Sequence, residues 1–166
     1  MTGAADVLEV VDRLEAAGID VWIDGGWGID ALVGEQTREH DDVDLVLPLA
    51  RVGDARAVLA ELGFRLTLDW LPTRCELRDG HARAVDFHPV TFAEDGSAVQ
   101  AARDGGFYEY PAQGFTGRGV IAGRRVRCLS AEVQARHHTG YEPTDVDRGD
   151  MQLLRERLGV ELPQPY

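Results

Sequence analysis

Two aspartates flank a single valine in Asp42-Val43-Asp44, and the segment runs on as Leu45-Val46-Leu47. Side chains alternate between the two faces of an extended strand, so Asp42 and Asp44 share one face. Neighbouring like charges repel each other. A divalent cation is the simplest compensation, and oxygen ligands suit magnesium or manganese. A second segment, Ala84-Val85-Asp86-Phe87-His88, puts Val85 and Phe87 on one face and Asp86 and His88 on the other. Aspartate is depleted in strands, so Asp86 needs a reason to be there. If the two strands are neighbours in one sheet, Asp42, Asp44 and Asp86 converge, and three such carboxylates suit two-metal phosphoryl chemistry. The alternative is a solvated acidic face, since residues 20–44 carry eight acidic side chains and one arginine.

Gly25-Gly26 lies between a strand and a helix start. Backbone N–H groups at such a place can cradle phosphate oxygens, aided by the helix dipole. A turn that merely needs positive φ explains the pair equally well. Gly26-x-Gly28-x-x-Ala31 also fits a dinucleotide fingerprint. Against that reading, the following helix is short, and the acidic residues open the next strand where a ribose-binding carboxylate would close it.

The elements that must position these residues follow from periodicity and stop signals. Residues 4–17 carry Val7, Leu8, Val10, Val11 and Leu14 at helical spacing, with Gly18 as the stop. Strands are expected at 20–24 and 42–47, with a short helix at 27–33 between them and an amphipathic helix at 52–62 after them. Three more strands follow at 64–70, 74–78 and 83–88, the last two joined by an Asp79-Gly80 turn. Residues 94–119, with six glycines and Pro111, are the least regular stretch. A hairpin at 120–128 turns near Ala122-Gly123. Ser130 caps a helix to Thr139, and Thr144, with Asp147 three residues on, caps a last helix ending near Gly159. Strands dominate the middle and helices the ends, so the fold class is α/β or α+β.

Composition narrows the partners. The 166 residues carry a net charge of −12, which argues against nucleic acid, whose phosphates need a basic footprint. Cys75 and Cys128 form no CxxC pair, so neither a zinc site nor a disulfide framework is expected. The N-terminus lacks the pattern of a signal peptide, and no apolar run approaches membrane-span length. A cytoplasmic protein with small-molecule partners, no nucleic acid and no membrane is the expectation, as monomer or homodimer.

The string Gly25-Gly26-Trp27-Gly28-Ile29-Asp30-Ala31-Leu32 followed by Gln36-Thr37-Arg38-x-His40-x-Asp42-x-Asp44 resembles the antibiotic nucleotidyltransferases of the polymerase-β-like superfamily. Small lincosamide and aminoglycoside-2'' adenylyltransferases are the nearest in appearance. Asp86 in VDFHPV matches the superfamily's third aspartate, and His137-His138-Thr139-Gly140-Tyr141 with Asp147-x-x-Asp150 extends the likeness to the C-terminal helices. The resemblance implies one nucleotidyltransferase domain over 1–166, with a mixed-sheet core at 1–128 and a helical part at 129–166. It implies that Asp42, Asp44 and Asp86 hold Mg2+, or Mn2+, on a nucleoside triphosphate. Gly25 and Gly26 would approach the phosphates, with Arg38 neutralising developing charge and His40 on the nucleotide side. Asp86 would also be the general base on an acceptor hydroxyl, and His88, Glu109 and Tyr110 would contact the acceptor. The implied reaction moves AMP from ATP to an aminoglycoside- or lincosamide-type antibiotic. A non-catalytic domain of antitoxin type should have lost an aspartate or the Gly-Gly pair, and all are present. A nucleotidyltransferase acting on another acceptor is the remaining alternative.

Overall fold

The computed structural model describes residues 1–139 and 141–166; Gly140, within the string quoted above, lies outside the described residues. The elements run α1 (Ala4–Ala16), β1 (Trp22–Asp24), α2 (Gly25–Val33), β2 (Val43–Pro48), α3 (Val52–Glu61), β3 (Arg65–Trp70), β4 (Arg74–Arg78) and β5 (Ala84–Phe92). They continue with β6 (Ala98–Ala101), β7 (Phe107–Tyr110), β8 (Arg118–Ile121), β9 (Arg124–Arg127), α4 (Ala131–His137) and α5 (Asp145–Leu158). This mixed α/β arrangement matches the expected class.

The main sheet has the order β1-β2-β5-β4-β3, with β6 added to the far end of β5 and β7 added to β6. Only β2 and β5 run parallel; the other pairs are antiparallel. Strand alternation divides the sheet into two faces. Ile23, Val43, Leu45, Leu47, Cys75, Leu77, Val85 and Phe87 point into one core cluster. That cluster is completed by the apolar stripe of α1 (Val7, Val10, Val11, Leu14) and by Val52, Ala55 and Leu59 of α3, the i, i+3, i+4, i+7 spacing of a helix buried on one side. The opposite face keeps the polar side chains of β1, β2, β4 and β5, bounded by a smaller cluster of Val46, Val90, Ala98, Tyr110, Phe115, Leu129 and Val133. A third cluster joins α2, α4 and α5 through Ile29, Ala135, Met151 and Leu154.

Two expectations are revised. Gly25 and Gly26 are the first two residues of α2 and not a turn ahead of it. Residues 94–119 are more regular than their glycines suggest. They form the β6–β7 ribbon, with Thr91 opposite Val99 and Gln100 opposite Tyr108, and then a short 3-10 turn. Three of the six glycines, Gly96, Gly105 and Gly106, sit in the ribbon's turns, where Gly96 and Gly105 take positive φ. Both predicted caps form: the Ser130 hydroxyl accepts from Val133 N–H, and Thr144 and Asp147 bond reciprocally as a capping box.

Candidate active site

Register concentrates the acids. Asp24 of β1 pairs with Asp44 of β2, Asp44 with Asp86 of β5, and Asp86 with Glu76 of β4. Four carboxylates thus stand in one row across four strands. Like charges directly opposite on a sheet are destabilising, so this row exists at a cost to the fold. Two cations offset part of it. Arg74 Nη2 lies 2.7 Å from Asp86 Oδ2, and His88 Nε2 lies 3.0 Å from Asp44 Oδ1 and 3.9 Å from Asp86 Oδ2. Among the described residues Asp86 Oδ1 is buried and has no hydrogen-bond partner. A buried carboxylate oxygen without a donor is costly unless something binds it.

The charges respond accordingly. Burial, reinforced by Asp44 and Asp42, raises the Asp86 carboxyl to about 6 against the opposing pull of His88 and Arg74. Burial alone would lower His88, but the hydrogen bond and charge of Asp44 and the charge of Asp86 outweigh it and raise the ring to about 9. Burial would raise Asp44, yet His88 outweighs it and holds Asp44 below the usual carboxylate range. Donor atoms of Asp44, Asp86 and His88 all lie within 4.8 Å of one another, the one such group found among the described residues.

Above this row is a cleft of about 550 Å³. At its acidic end are Asp24, Gly25, Asp44 and His88; the rest of the lining includes Trp70, Arg74, Gln100, Arg103, Tyr108, Tyr110, His137, His138 and Tyr141. The N-terminus of α2 opens here. Its N-cap residue, Asp24, makes no side-chain cap bond, so the dipole's positive end is left for another acceptor. Gly25 has φ +58, and a Cβ there would strike the Asp44 carboxylate. A Cβ on Gly26 would strike the Arg38 guanidinium and the His40 ring. Both glycines are required by close approach.

Of the residues singled out from sequence, Gly25, Asp44, His88 and Tyr110 line the cleft and Asp86 lies against it. Asp42 precedes β2 on the same side as Asp44, half-buried and outside the 4.8 Å group; burial and the charges of Asp44 and Asp41 raise its carboxyl. Arg38 is held by Asp150 of α5 at 2.8 and 3.1 Å. His40 is buried against Asp30 at 2.6 Å and against the Trp27 ring. Glu109 is exposed and not part of the lining, because alternation along β7 puts it opposite Tyr108 and Tyr110. Arg74, Gln100, Trp70 and Arg103 were not read from the sequence. Arg74 shares the parity of Glu76 on β4, but no local pattern marks any of the four as part of a site.

A parallel strand pair carrying facing aspartates, beside a Gly-Gly helix start, is the arrangement of a nucleotidyltransferase. The solved structure of lincosamide antibiotic adenylyltransferase LnuA with lincomycin bound has the same fold, with TM-score 0.80 and 32% identity over 90% of this chain and 94% of that one. ANT(2'')-Ia in complex with adenylyl-2''-tobramycin follows at TM-score 0.74 and 25% identity, over 94% and 89%. The chain belongs to the aminoglycoside-2''-adenylyltransferase family, whose sequence model matches residues 6–154. Among its relatives, a lincosamide resistance protein of Staphylococcus haemolyticus is 32% identical over 90% of this chain and 92% of its own length. A 2''-aminoglycoside nucleotidyltransferase of Klebsiella pneumoniae is 36% identical over 75% of this chain, and the match spans 66% of that enzyme.

Proposed function

We propose that the protein transfers a nucleoside monophosphate, AMP from ATP, to a hydroxyl of a small-molecule antibiotic of aminoglycoside or lincosamide type, in a magnesium-dependent reaction. The observation that carries this reading is the unpartnered, buried Oδ1 of Asp86, one strand from Asp44 and beside the open end of α2. The donor set fits a hard divalent cation, being carboxylate oxygen held close together in a row short of positive charge. Asp44 and Asp86, with Asp42 from the same side of the chain, are the residues that would hold it. Magnesium so held supplies charge neutralisation for the phosphoryl oxygens.

The chain's own groups do the rest. Gly25 and Gly26 let the backbone of α2 come close to the triphosphate, with its dipole towards the anion. Arg74 fixes Oδ2 of Asp86 and leaves Oδ1 facing the reaction. Asp86 takes the proton of the acceptor hydroxyl as that oxygen forms a bond to the α-phosphorus. The bond from the α-phosphorus to the bridging oxygen breaks, and pyrophosphate leaves. Trp70, Tyr108 and Tyr141 give the acceptor a surface to rest on. Positioning and electrostatics dominate such a transfer.

The test is to incubate the protein with Mg2+, each nucleoside triphosphate and each of a set of antibiotics. Pyrophosphate release is followed, and the acceptor is weighed by mass spectrometry. A gain of one nucleoside monophosphate, only with Mg2+ present, is expected. Phosphate release without acceptor modification would contradict the reading.

A further inference from the structure

The charge of the cleft is not the charge of the protein. The chain as a whole stands at −12, yet the cleft lining has two carboxylates, Asp24 and Asp44, against Arg74, Arg103 and the His88 ring bound to Asp44. Both Asp44 and the Asp86 behind it already face cations, His88 and Arg74. The proposed reaction commits those two acids to the metal and the transferred phosphoryl group. Asp24 is then the one lining carboxylate left for an acceptor. Glu109, which could have met an amine, is not in the lining.

What remains is aromatic and basic. Trp70, Tyr108 and Tyr141 are 40%, 47% and 48% exposed, unusually open for such large side chains. The Arg103 guanidinium lies over the Trp70 ring at 4.0 Å, with Arg74 on the same ring at 5.6 Å. That stacking keeps the Arg103 charge at the cleft while leaving its N–H groups free to repel or recruit. An acceptor with four or five ammonium groups would have to set most of them against Arg74, Arg103, His88 and the aromatic rings, with Asp24 to match one. Like-charge juxtaposition of that kind serves to reject partners.

Resting on the reading given under Proposed function, we infer that the acceptor is a hydroxyl compound with at most one positive charge and a substantial apolar face, and that Arg103, held on Trp70, excludes polycationic acceptors. The apolar face packs on Trp70, Tyr108 and Tyr141, and a single amine is matched by Asp24.

The experiment compares lincomycin, which has one amine and an apolar arm, with the polyamine tobramycin. Each is titrated calorimetrically into the full-length protein with Mg2+ and a non-hydrolysable ATP analogue, and transfer is measured separately with ATP. The inference predicts that lincomycin binds and reacts at least about 100-fold better, as an uncompensated charge clash implies. Arg103→Glu should narrow that ratio about tenfold or more, chiefly by tightening tobramycin binding, while Arg103→Gln narrows it less. Equal or better binding of tobramycin by the parent would overturn the inference, as would an unchanged ratio in a folded Arg103→Glu protein. Preferential lincomycin binding without transfer would support the charge inference and sink the proposed reaction. Failure of both compounds to bind would overturn both.

Discussion

His88 and Asp44 are joined, Nε2 to Oδ1 at 3.0 Å, from adjacent parallel strands, and the imidazole is held from behind by Gln100. Gln100 Nε2 lies 2.8 Å from Thr73 O, which can only accept, and Tyr110 O–H donates to Gln100 Oε1 at 2.6 Å. That amide orientation suits the neutral ring, whose Nδ1 accepts from Gln100 Nε2; the charged ring that Asp44 and Asp86 favour must give up this contact. Asp44, ionised, needs a donor, so Nε2 carries a proton whether the ring is neutral or charged. His88 therefore orients a carboxylate and is neither a free base nor a free ligand at that nitrogen.

His88→Gln keeps an N–H near the Nε2 position, whereas His88→Ala does not. His88→Ala should lose about 10–100-fold in magnesium affinity or rate, the usual effect of removing a group that orients a metal ligand. His88→Gln should retain most of both. Calorimetric Mg2+ titration with ATP analogue present, beside steady-state rates, checks this; equal losses in the two variants would mean that the imidazole itself is required.

Asp86 should make the metal-free protein less stable as pH rises. Its folded value, about 6, lies above the ordinary 3.8, so between about pH 4 and pH 6 the folded state binds more protons than the unfolded state. Stability attributable to Asp86 is then present below about pH 4 and lost through about pH 6. The difference, roughly 2 units at ~1.36 kcal/mol each, is about 3 kcal/mol. In EDTA at pH 8, Asp86→Asn should melt higher than the parent, and the gap should close at about pH 4, where the folded parent's carboxyl is protonated. Thermal melts across pH check both signs.

Gly25→Ala and Gly34→Ala separate backbone strain from collision. Both glycines have positive φ, but a Cβ on Gly34 meets nothing within 4 Å whereas one on Gly25 strikes Asp44. Each substitution should cost about 1–2 kcal/mol for the left-handed backbone. Gly25→Ala should in addition lose nucleotide binding, while Gly34→Ala keeps it. Denaturation and nucleotide titration on the two proteins decide the matter, and unaltered nucleotide affinity in Gly25→Ala would leave the helix start purely structural.

Arg38 ties residues 34–42 to α5 through Asp150, whose side chain is 6% exposed. Removing Arg38 leaves that charge buried, so Arg38→Ala should destabilise by about 2 kcal/mol, less than the ~3–5 of a fully buried pair because Arg38 is one-third exposed. Adding Asp150→Asn should recover part of the loss. If stability returns but turnover does not, Arg38 acts on the nucleotide as the family resemblance implies.

The carboxylate pattern was legible because alternation is local: Asp42-Val43-Asp44 and Val85-Asp86-Phe87-His88 announce their faces without knowledge of partners. Pairing is not local, so the alignment of Asp24 and Glu76 with Asp44 and Asp86 could not be read. The β6–β7 ribbon escaped detection because its strands are only four residues each, β7 is mostly exposed, and glycine-rich turns flank β7's start and β6's approach and read as loop. His40 looked like a site residue beside Asp42, and what engages it is Asp30, ten positions earlier on α2. Arg103 carries no motif at all, since its place depends on the ribbon's packing against Trp70.

The central claim is that Asp44 and Asp86 form a magnesium-dependent nucleotidyl-transfer centre with Asp86 as the base. The most direct measurement is the single-turnover rate of Asp86→Asn against the parent, with nucleotide–magnesium binding measured on the same samples. Asparagine retains shape and one oxygen but cannot take the proton. The account predicts near-parental nucleotide–magnesium affinity and a rate lower by at least ~10²-fold, the lower end for a lost general base. A parental rate, or a loss of rate that follows nucleotide–magnesium affinity point for point, would contradict it.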